Sequence, residues 1–397
     1  MNIKLEINSF DHEGRGIGKY NNKVVFVPNA IPGEIVEIEI IKDKKTFSEG
    51  KIISYIKKSP KRIEASCPFY NKCGGCSFEH ISIDDEKKVK TNNVINIIKK
   101  YANLDVLPIF IDSDKEYNYR NKIELKIENG NWGYYNSLSH NFVKINKCLI
   151  AKDSINRIIE NKNYFDIKNG SIIIRCNYND EIIIKIDTSD KYNIDIDNLI
   201  KNNKIVGIIV NNKLIYGEDY YIEKVGKYLF KVNINSFFQI NLNILSKVFD
   251  LISKDKYKTV VDLYCGVGTL GIALNKDKLY GIEIVPEAIT DAIKNSEINK
   301  QNNLYMLGDS SKISKIEDKI DCIIVDPPRS GLNNKTINNI LKFNSKSIIY
   351  MSCNPITLAR DLNILKEKYL VKKIYILNMF PKTKHVECVC FLEFNNR

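Results

Sequence analysis

Hydrophobic and polar positions divide the chain into three stretches of different rhythm. Residues 1 to about 60 alternate short β-rich runs with turn residues. DHEGRGIGKY sets three glycines around one arginine, and VVFVPNAIPGEIVEIEIIKDKKTFSEGKIISYI breaks at Pro-Asn, Pro-Gly and Ser-Glu-Gly. Five or so short strands at this spacing predict a small barrel of the oligonucleotide-binding type. A lysine-rich helix then opens at Asp84 and Asp85 and covers 83–103. Between 117 and 225 the runs NKIELKIENGNWGYY, GSIIIRCNYNDEIIIKID and KIVGIIVNNKLIYG are parted by asparagine-rich turns, which predicts a meander or hairpins. From about Lys231 the pattern turns to βαβα. KTVVDLYCGVGTLGIAL, KLYGIEI, LYMLGD, DCIIVDPP and KSIIYMSC supply strands, with PEAITDAIKNSEINKQ a helix opened by proline. YLVKKIYILNMF and HVECVCFLEFN are joined by PKTK, too short a link for a parallel crossover. The expected fold is α/β: a mostly parallel sheet closing in an antiparallel hairpin, behind a small barrel and a β-rich centre. The boundaries are 1–60, 61–230 and 231–397, with the helix 83–103 expected to pack on the last domain.

Composition adds little until the charge is counted. Lys plus Arg number 60 against 48 Asp plus Glu, a net +12. That excess suits a polyanionic partner, although abundant Lys, Ile and Asn also reflect an AT-rich coding sequence. Lys42, Lys44, Lys45, Lys57, Lys58, Lys61 and Arg62 could line a phosphate-binding face of the barrel. Tyr119, Arg120, Trp132, Tyr134 and Tyr135 interleave rings with basic side chains, as a base-stacking surface or as a core face. The start MNIKLEINSFDHEGRG has no apolar signal region, and no run of about 18 apolar residues exists to span a membrane. A cytoplasmic protein is expected, its ten cysteines serving as thiols or metal ligands.

Cys67, Cys73 and Cys76 stand in C-x5-C-x2-C spacing in CPFYNKCGGC, with Cys148 in KINKCLI the best fourth ligand. Cys176 lies in the strand-like SIIIRCNY and reads as core. The thiolate set fits a zinc site and a [4Fe–4S] cluster equally well. Cys265, Cys322, Cys388 and Cys390 also read as core.

Gly266, Gly268 and Gly271 form a glycine loop between strand and helix, with Glu283 ending the next strand, where an acid can hold ribose hydroxyls. Asp309 and Asp326 end the third and fourth strands. On this loop alone a nicotinamide enzyme competes, but no hydride-transfer partner is visible. Asp326-Pro327-Pro328-Arg329 lacks the aromatic residue that follows Asp-Pro-Pro in amino-group methyltransferases. Cys353 ends the following strand in YMSCNPITLARDL, where the helix start and nearby donors are expected to favour its thiolate. Methylation of uracil at C5 needs such a nucleophile at C6, and a base to remove the C5 proton. Glu387 on the final hairpin is the candidate base.

These motifs resemble the RNA 5-methyluridine methyltransferase family, and in particular its iron–sulfur-containing members acting on 23S ribosomal RNA. The likeness covers essentially the whole chain. The amino-terminal barrel resembles a TRAM domain, and CPFYNKCGGC, FFQIN, DLYCGVGTLG, DPPRSGL, SCNPITLARDL and FPKTKHVECV follow in the family's order. The resemblance implies a Rossmann-like sheet binding S-adenosylmethionine through Gln239, Tyr264, Thr269, Glu283, Asp309 and Asp326. It implies that Cys353 is the nucleophile, that Glu387 is the base, and that Cys67, Cys73, Cys76 and Cys148 hold [4Fe–4S]. Thr269 stands where relatives often have asparagine, and Asn378 where Asp often precedes Met-Phe-Pro. The implied substrate is a uridine splayed from a loop or bulge of ribosomal RNA, bound by a monomer. Transfer RNA is the alternative substrate. A non-catalytic RNA-binding assembly factor is a further reading, against which both nucleophile and base are present.

Overall fold

The computed structural model describes residues 2–136, 141–255, 257–274 and 277–395. The chain forms two compact units. One comprises Met1–Asn96, Tyr135–Val143 and Phe380–His385, the other Ile97–Tyr134, Lys144–Met379 and Val386–Arg397.

The first unit begins with six strands, Asn2–Glu6, Ser9–Phe10, Gly16–Tyr20, Lys23–Val27, Ile35–Asp43 and Phe47–Lys57. Alternation turns Ile3, Leu5, Val25, Val27, Val36 and Ile38 into one buried cluster. Asn21 and Asn22, both with positive φ, make the two-residue turn that pairs Tyr20 with Lys23. The six strands realise the expected barrel. Its polar seam is a buried ion pair: Arg62 donates to Glu34 Oε1 (2.5 Å) and Oε2 (2.8 Å), and to the carbonyl of Asn29 (2.6 Å). Tyr70 joins this seam by donating to Asn29 Oδ1 (3.1 Å), and its hydroxyl also meets Nδ1 of the buried His80. Burial holds that imidazole down to about 3, so it is neutral at physiological pH.

The expected helix spans Ile83–Ala102, acidic in its first turn and basic in its last, as the helix dipole favours. Inside the first unit its Glu86 and Lys90 are a buried pair (2.6 Å). Glu86 also accepts from the amide of Lys382 (3.1 and 3.0 Å), and the Lys382 carbonyl accepts from the amides of Ser77 and Phe78. This non-glycine residue sits at φ +65°, held there by bonds on both faces of its peptide.

In the second unit one sheet includes Asn131–Tyr135, Lys122–Glu128, Gly170–Cys176, Ile182–Asp187, Ile205–Val210 and Lys213–Gly217 side by side. It is not the simple meander expected. Ile182–Asp187 pairs with Ile205–Val210 in parallel, because the short helix Ile196–Asn202 carries the chain back across.

The other large sheet holds eight strands in the order Leu304–Leu307, Lys278–Glu283, Thr259–Leu263, Cys322–Val325, Ser347–Ser352, Glu387–Phe394, Tyr369–Leu377, Ile109–Ile111. The first five are parallel and the carboxy-terminal hairpin antiparallel, as expected. The edge strand Ile109–Ile111 comes from far upstream and lies parallel to Tyr369–Leu377. Three residues carry too short a pattern to announce it. Among the described residues no helix is long and apolar enough to cross a membrane.

The Arg62–Glu34 pair yields a stability test. Replacing Glu34 with Ala strands a guanidinium in the barrel seam and should cost about 3–5 kcal/mol. The loss is measured as weakened hydrogen-exchange protection of the strand Ile35–Asp43. Unchanged protection would show that the pair adds nothing.

Candidate active site

Five parallel strands deliver their carboxyl ends to one edge of the sheet, where α/β folds carry their sites. Tyr264 follows Leu263, Glu283 ends its strand, Asp309 lies two residues past Leu307, Asp326 follows Val325, and Cys353 follows Ser352. Glu387 arrives from the opposite direction. Its strand is antiparallel to Ser347–Ser352 with Ser352 opposite Cys388, so continuing the register by one residue sets Glu387 across from Cys353. The structure thus gathers Tyr264, Glu283, Asp309, Asp326, Cys353 and Glu387 along one edge.

The glycine loop is shaped by its backbone. Gly266 has φ +53° with open space where a Cβ would be, so a ligand can approach the main chain. Tyr264 holds φ +63° without being glycine. Its hydroxyl accepts from Ser310 Oγ (3.0 Å), which in turn pairs with Thr336 Oγ1 (2.6 Å). Glu283 accepts from the amides of Gly266 (3.0 Å), Ile284 (2.8 Å) and Val285 (3.0 Å), leaving acceptor capacity for a ligand. Asp309 caps the short 3-10 helix Ser310–Lys315, and bonds from Ser311, first from its hydroxyl and then from its amide (2.7 Å), hold its pKa below the usual carboxylate range. Thr269 opens the helix Thr269–Leu274 and is half-buried.

Gln239 enters on the segment between the strand Tyr228–Asn233 and the helix Leu242–Ile252. It is buried, and its carbonyl accepts from Asn121 Nδ2 (3.3 Å). Phe237, two residues earlier, is 75% exposed, unusual for so large an apolar ring.

The loop Pro327–Leu332 and the helix Pro355–Leu365 form one device. Asn354 caps the helix by accepting from the Ile356 amide (3.1 Å), while its Nδ2 donates to the Arg329 carbonyl (3.0 Å). Arg360 donates to the carbonyls of Ser330 (3.0 Å) and Leu332 (2.9 Å). The buried Asp361 accepts from the Leu332 amide (2.8 Å) and from the Tyr350 hydroxyl (2.7 Å). A Cβ on Gly331 would strike Arg360 Nη2 at 2.6 Å and Asp361 Oδ2 at 2.7 Å. Neither Arg360 nor Asp361 was singled out from sequence. Asp361 sits among Leu358, Ala359, Leu362 and Leu365 on the helix's buried face, and an acid on such a face is the signal. Asp262 was likewise missed: its Oδ2 accepts from the Gly271 amide (2.9 Å), its Oδ1 has no partner, and burial pushes it up to about 8.

Electrostatics overturn one expectation. The Cys353 thiol is not tuned toward thiolate: its pKa is raised, first by burial and then by the charges of Glu387 and Asp326, with Arg329 opposing. Glu387 and Asp326 are themselves raised, chiefly by burial, and Glu387 further by its neighbour Asp326. The side chain of Asn354, rather than the thiol, satisfies the helix start.

The ten cysteines fall into two classes. Cys176, Cys265, Cys322, Cys388 and Cys390 are buried, as expected of core residues, whereas Cys67, Cys73, Cys76, Cys148 and Cys353 are half-buried thiols. Cys67 and Cys73 lie near enough for the charge of one to raise the other. Cys148 is clasped at its backbone by Asn156, through its amide (2.8 Å) and its carbonyl (3.0 Å). Among the described residues no group of three or more His, Cys, Asp or Glu side chains is arranged to hold a metal ion. The donor chemistry of these thiols suits a thiolate-bound centre.

These charges set the reactivity of Cys353. Iodoacetamide should alkylate it slowly at pH 7, with a rate that climbs past the ordinary thiol value of 9.0. Replacing Glu387 with Gln removes a raising charge and should move that climb to lower pH. A rate already level at pH 7 would show a resident thiolate and overturn this electrostatic picture.

Comparison with known proteins places the chain in a family. Residues 184–395 match the family model described as tRNA (Uracil-5-)-methyltransferase, and residues 2–53 match the TRAM domain. An uncharacterized RNA methyltransferase of Clostridium acetobutylicum is 33% identical, covering 98% of this chain and 96% of that one. Another from Aquifex aeolicus is 32% identical, covering 98% of each. The solved structure of a Pyrococcus abyssi tRNA (uracil-54, C5)-methyltransferase in complex with S-adenosyl-L-homocysteine shares the fold at 23% identity. Its TM-score is 0.80, over 98% of this chain and all of that one. The chain belongs to the RNA uracil-5-methyltransferase family, with a TRAM domain at its amino-terminal end.

Proposed function

We propose that the chain transfers a methyl group from S-adenosylmethionine to carbon 5 of a uridine in 23S ribosomal RNA. The observation that carries this reading is the register that sets Glu387 across from Cys353, beside Asp326 and Arg329. In this reading Cys353 gives up its thiol proton to solvent, its thiolate sulfur bonds to C6 of the flipped-out uracil, and the C5–C6 electron pair becomes enolate-like at C5. S-Adenosylmethionine, when bound, supplies the electrophilic methyl group that C5 acquires. Glu387 then takes the C5 proton, the C5–C6 double bond reforms and the thiolate leaves. A raised pKa suits Glu387 to that work, because a base is most effective when poised near the operating pH. Arg329 favours the thiolate against the two carboxylates around Cys353.

The residues toward the cofactor suit it. Gly266 leaves open backbone, Glu283 retains acceptor capacity for ribose hydroxyls, and Asp309 offers an ionised carboxylate at the next strand end. Tyr264, Thr269, Asp326 and Gln239 complete the proposed set.

Ribosomal RNA is favoured by the cysteine loop standing behind the barrel. A second reading, transfer RNA, is favoured by the Pyrococcus abyssi enzyme, whose whole length the fold follows, barrel included. Labelled methyl transfer to both RNAs lacking the modification, with the nucleoside identified and mapped, separates them. Label in 5-methyluridine of 23S RNA is the expected outcome, and label only in tRNA would move the substrate. Cys353→Ala should abolish transfer while cofactor still binds; full activity in that variant would sink the mechanism.

For Cys67, Cys73, Cys76 and Cys148 we propose a [4Fe–4S] cluster with a structural part, since methyl transfer moves no electron. Protein purified without oxygen should be brown and carry iron and sulfide. A colourless preparation with stoichiometric zinc would overturn this assignment.

A further inference from the structure

A costly group in the second unit, outside the active-site edge, is Arg175, near the end of the strand Gly170–Cys176. It is fully buried, and among the described residues it has no ion pair within 4.0 Å. One nitrogen does all its bonding. Nη1 donates to the carbonyls of Ser236 (2.6 Å), Asn233 (3.3 Å) and Ile234 (3.4 Å). Nε and Nη2 make no hydrogen bond of ordinary geometry; the ring of Tyr221 lies 5.9 Å from the guanidinium, and the carboxylate of Glu223 is near enough for the two charges to be felt. Burying a charge this poorly paired is expensive, and a neutral amide could bond a turn at less cost. Its cross-strand neighbour worsens the expense: Lys122 pairs directly with Arg175, and burial with that charge brings Lys122 down to about 8.

The cation is aimed at one short stretch of chain. The three carbonyls belong to the turn Asn233–Ser236, and the next residues are Phe237, Phe238 and Gln239. A second cation grips the same turn, Lys185 donating to Asn235 Oδ1 (3.0 Å). On the far side of Gln239 the same sheet grips again. Asn121 donates to the carbonyls of Gln239 (Nδ2, 3.3 Å) and Ile240 (amide, 3.1 Å). Its own carbonyl accepts from the amide of Cys176 (2.9 Å), the residue after Arg175. The segment 233–240 is therefore clamped at both ends, by Arg175 at one and at the other by Asn121, which is itself bonded to Cys176.

We infer that Arg175 is a positioning residue for methyl transfer, fixing the segment that presents Gln239 and the exposed ring of Phe237. The inference rests on the proposed function for the role of Gln239, though the clamp itself does not. Five donors in a rigid planar fork distinguish arginine from lysine, which offers a point charge on a flexible stem. Arg175→Lys keeps the charge and the bulk of the stem, and so should fold; Arg175→Met removes the donors altogether.

The test uses the full-length chain. Hydrogen exchange of the peptide covering 233–241 should quicken in Arg175→Lys and more so in Arg175→Met, while the strand Thr259–Leu263 keeps its protection. Below the unfolding temperature, kcat for methyl transfer should fall between about tenfold and about 100-fold in Arg175→Met, with a smaller loss in Arg175→Lys. KM for RNA should stay within about twofold. An unaltered exchange pattern in both variants would overturn the clamp. A quickened pattern with unchanged kcat would overturn its part in catalysis, as would kcat lost only in proportion to unfolded protein. Should the unaltered chain transfer no methyl group, the functional reading would fail, while the exchange pattern would still decide whether Arg175 holds the segment.

Discussion

The site depends on one ladder. Glu387–Phe394 is inserted antiparallel between Ser347–Ser352 and Tyr369–Leu377, and its register alone decides which side chain faces Cys353. Strand side chains alternate with period two, so a slip of one residue would point Glu387 away and present Cys388 in its place. What prevents the slip is the burial of both faces: Val389, Cys390 and Leu392 on one strand and Ile348, Ile349, Tyr350 and Met351 on the other have no solvent side to accept. The hydrophobic core thus specifies which side chains face each other at this strand end, and the carboxylate inherits its place from apolar neighbours.

Around that pair the charge balance is unusual. Two raised carboxylates and a raised thiol share a corner with one arginine, each shifted toward its protonated form chiefly by burial. A cysteine kept as a thiol is protected from oxidation and alkylation. Ionisation then has to be coupled to what enters the site, and a sulfonium is the kind of cation that would favour it. The loop Pro327–Leu332 makes this corner rigid. Asp361, Arg360 and Asn354 tie its backbone to the helix behind Cys353, so Arg329 and Cys353 are held by one set of bonds.

Much of this was legible in the chain because strong signals coincide. The βαβα rhythm, the glycine loop and the acid at each strand end are local patterns, and the topology has only to bring their ends together. The parallel pair in the central sheet and the edge strand Ile109–Ile111 were hidden, since a three-residue strand or a seven-residue crossover helix carries no period to read. The acidity of Cys353 was misjudged for a different reason. Sequence shows the helix start beside it, whereas Asp326 and Glu387 reach it only through the fold. Arg175 and Asp361 were passed over because a charged residue within an apolar run reads as a surface position until burial is known.

Strain and unmet polar groups occur in both units. In the barrel seam Arg62, Glu34 and Tyr70 are bonded to one another or to backbone, while His80 Nε2 lacks a partner and Lys382 holds a positive φ. The second unit holds its own set. Tyr264 holds a left-handed backbone, Asp262 keeps an oxygen without a partner, and Arg175 keeps two nitrogens without a hydrogen bond of ordinary geometry. Packing alone would have selected against each of these, since an apolar residue of similar volume is cheaper at a buried position. They persist where the surrounding sheet over-determines the backbone, and they lie on, or are bonded to, the segments that meet the proposed ligands. The second unit therefore gives up stability along a line from Arg175 through the Gln239 segment and at the strand ends, and local rigidity at those points is what the sacrifice secures.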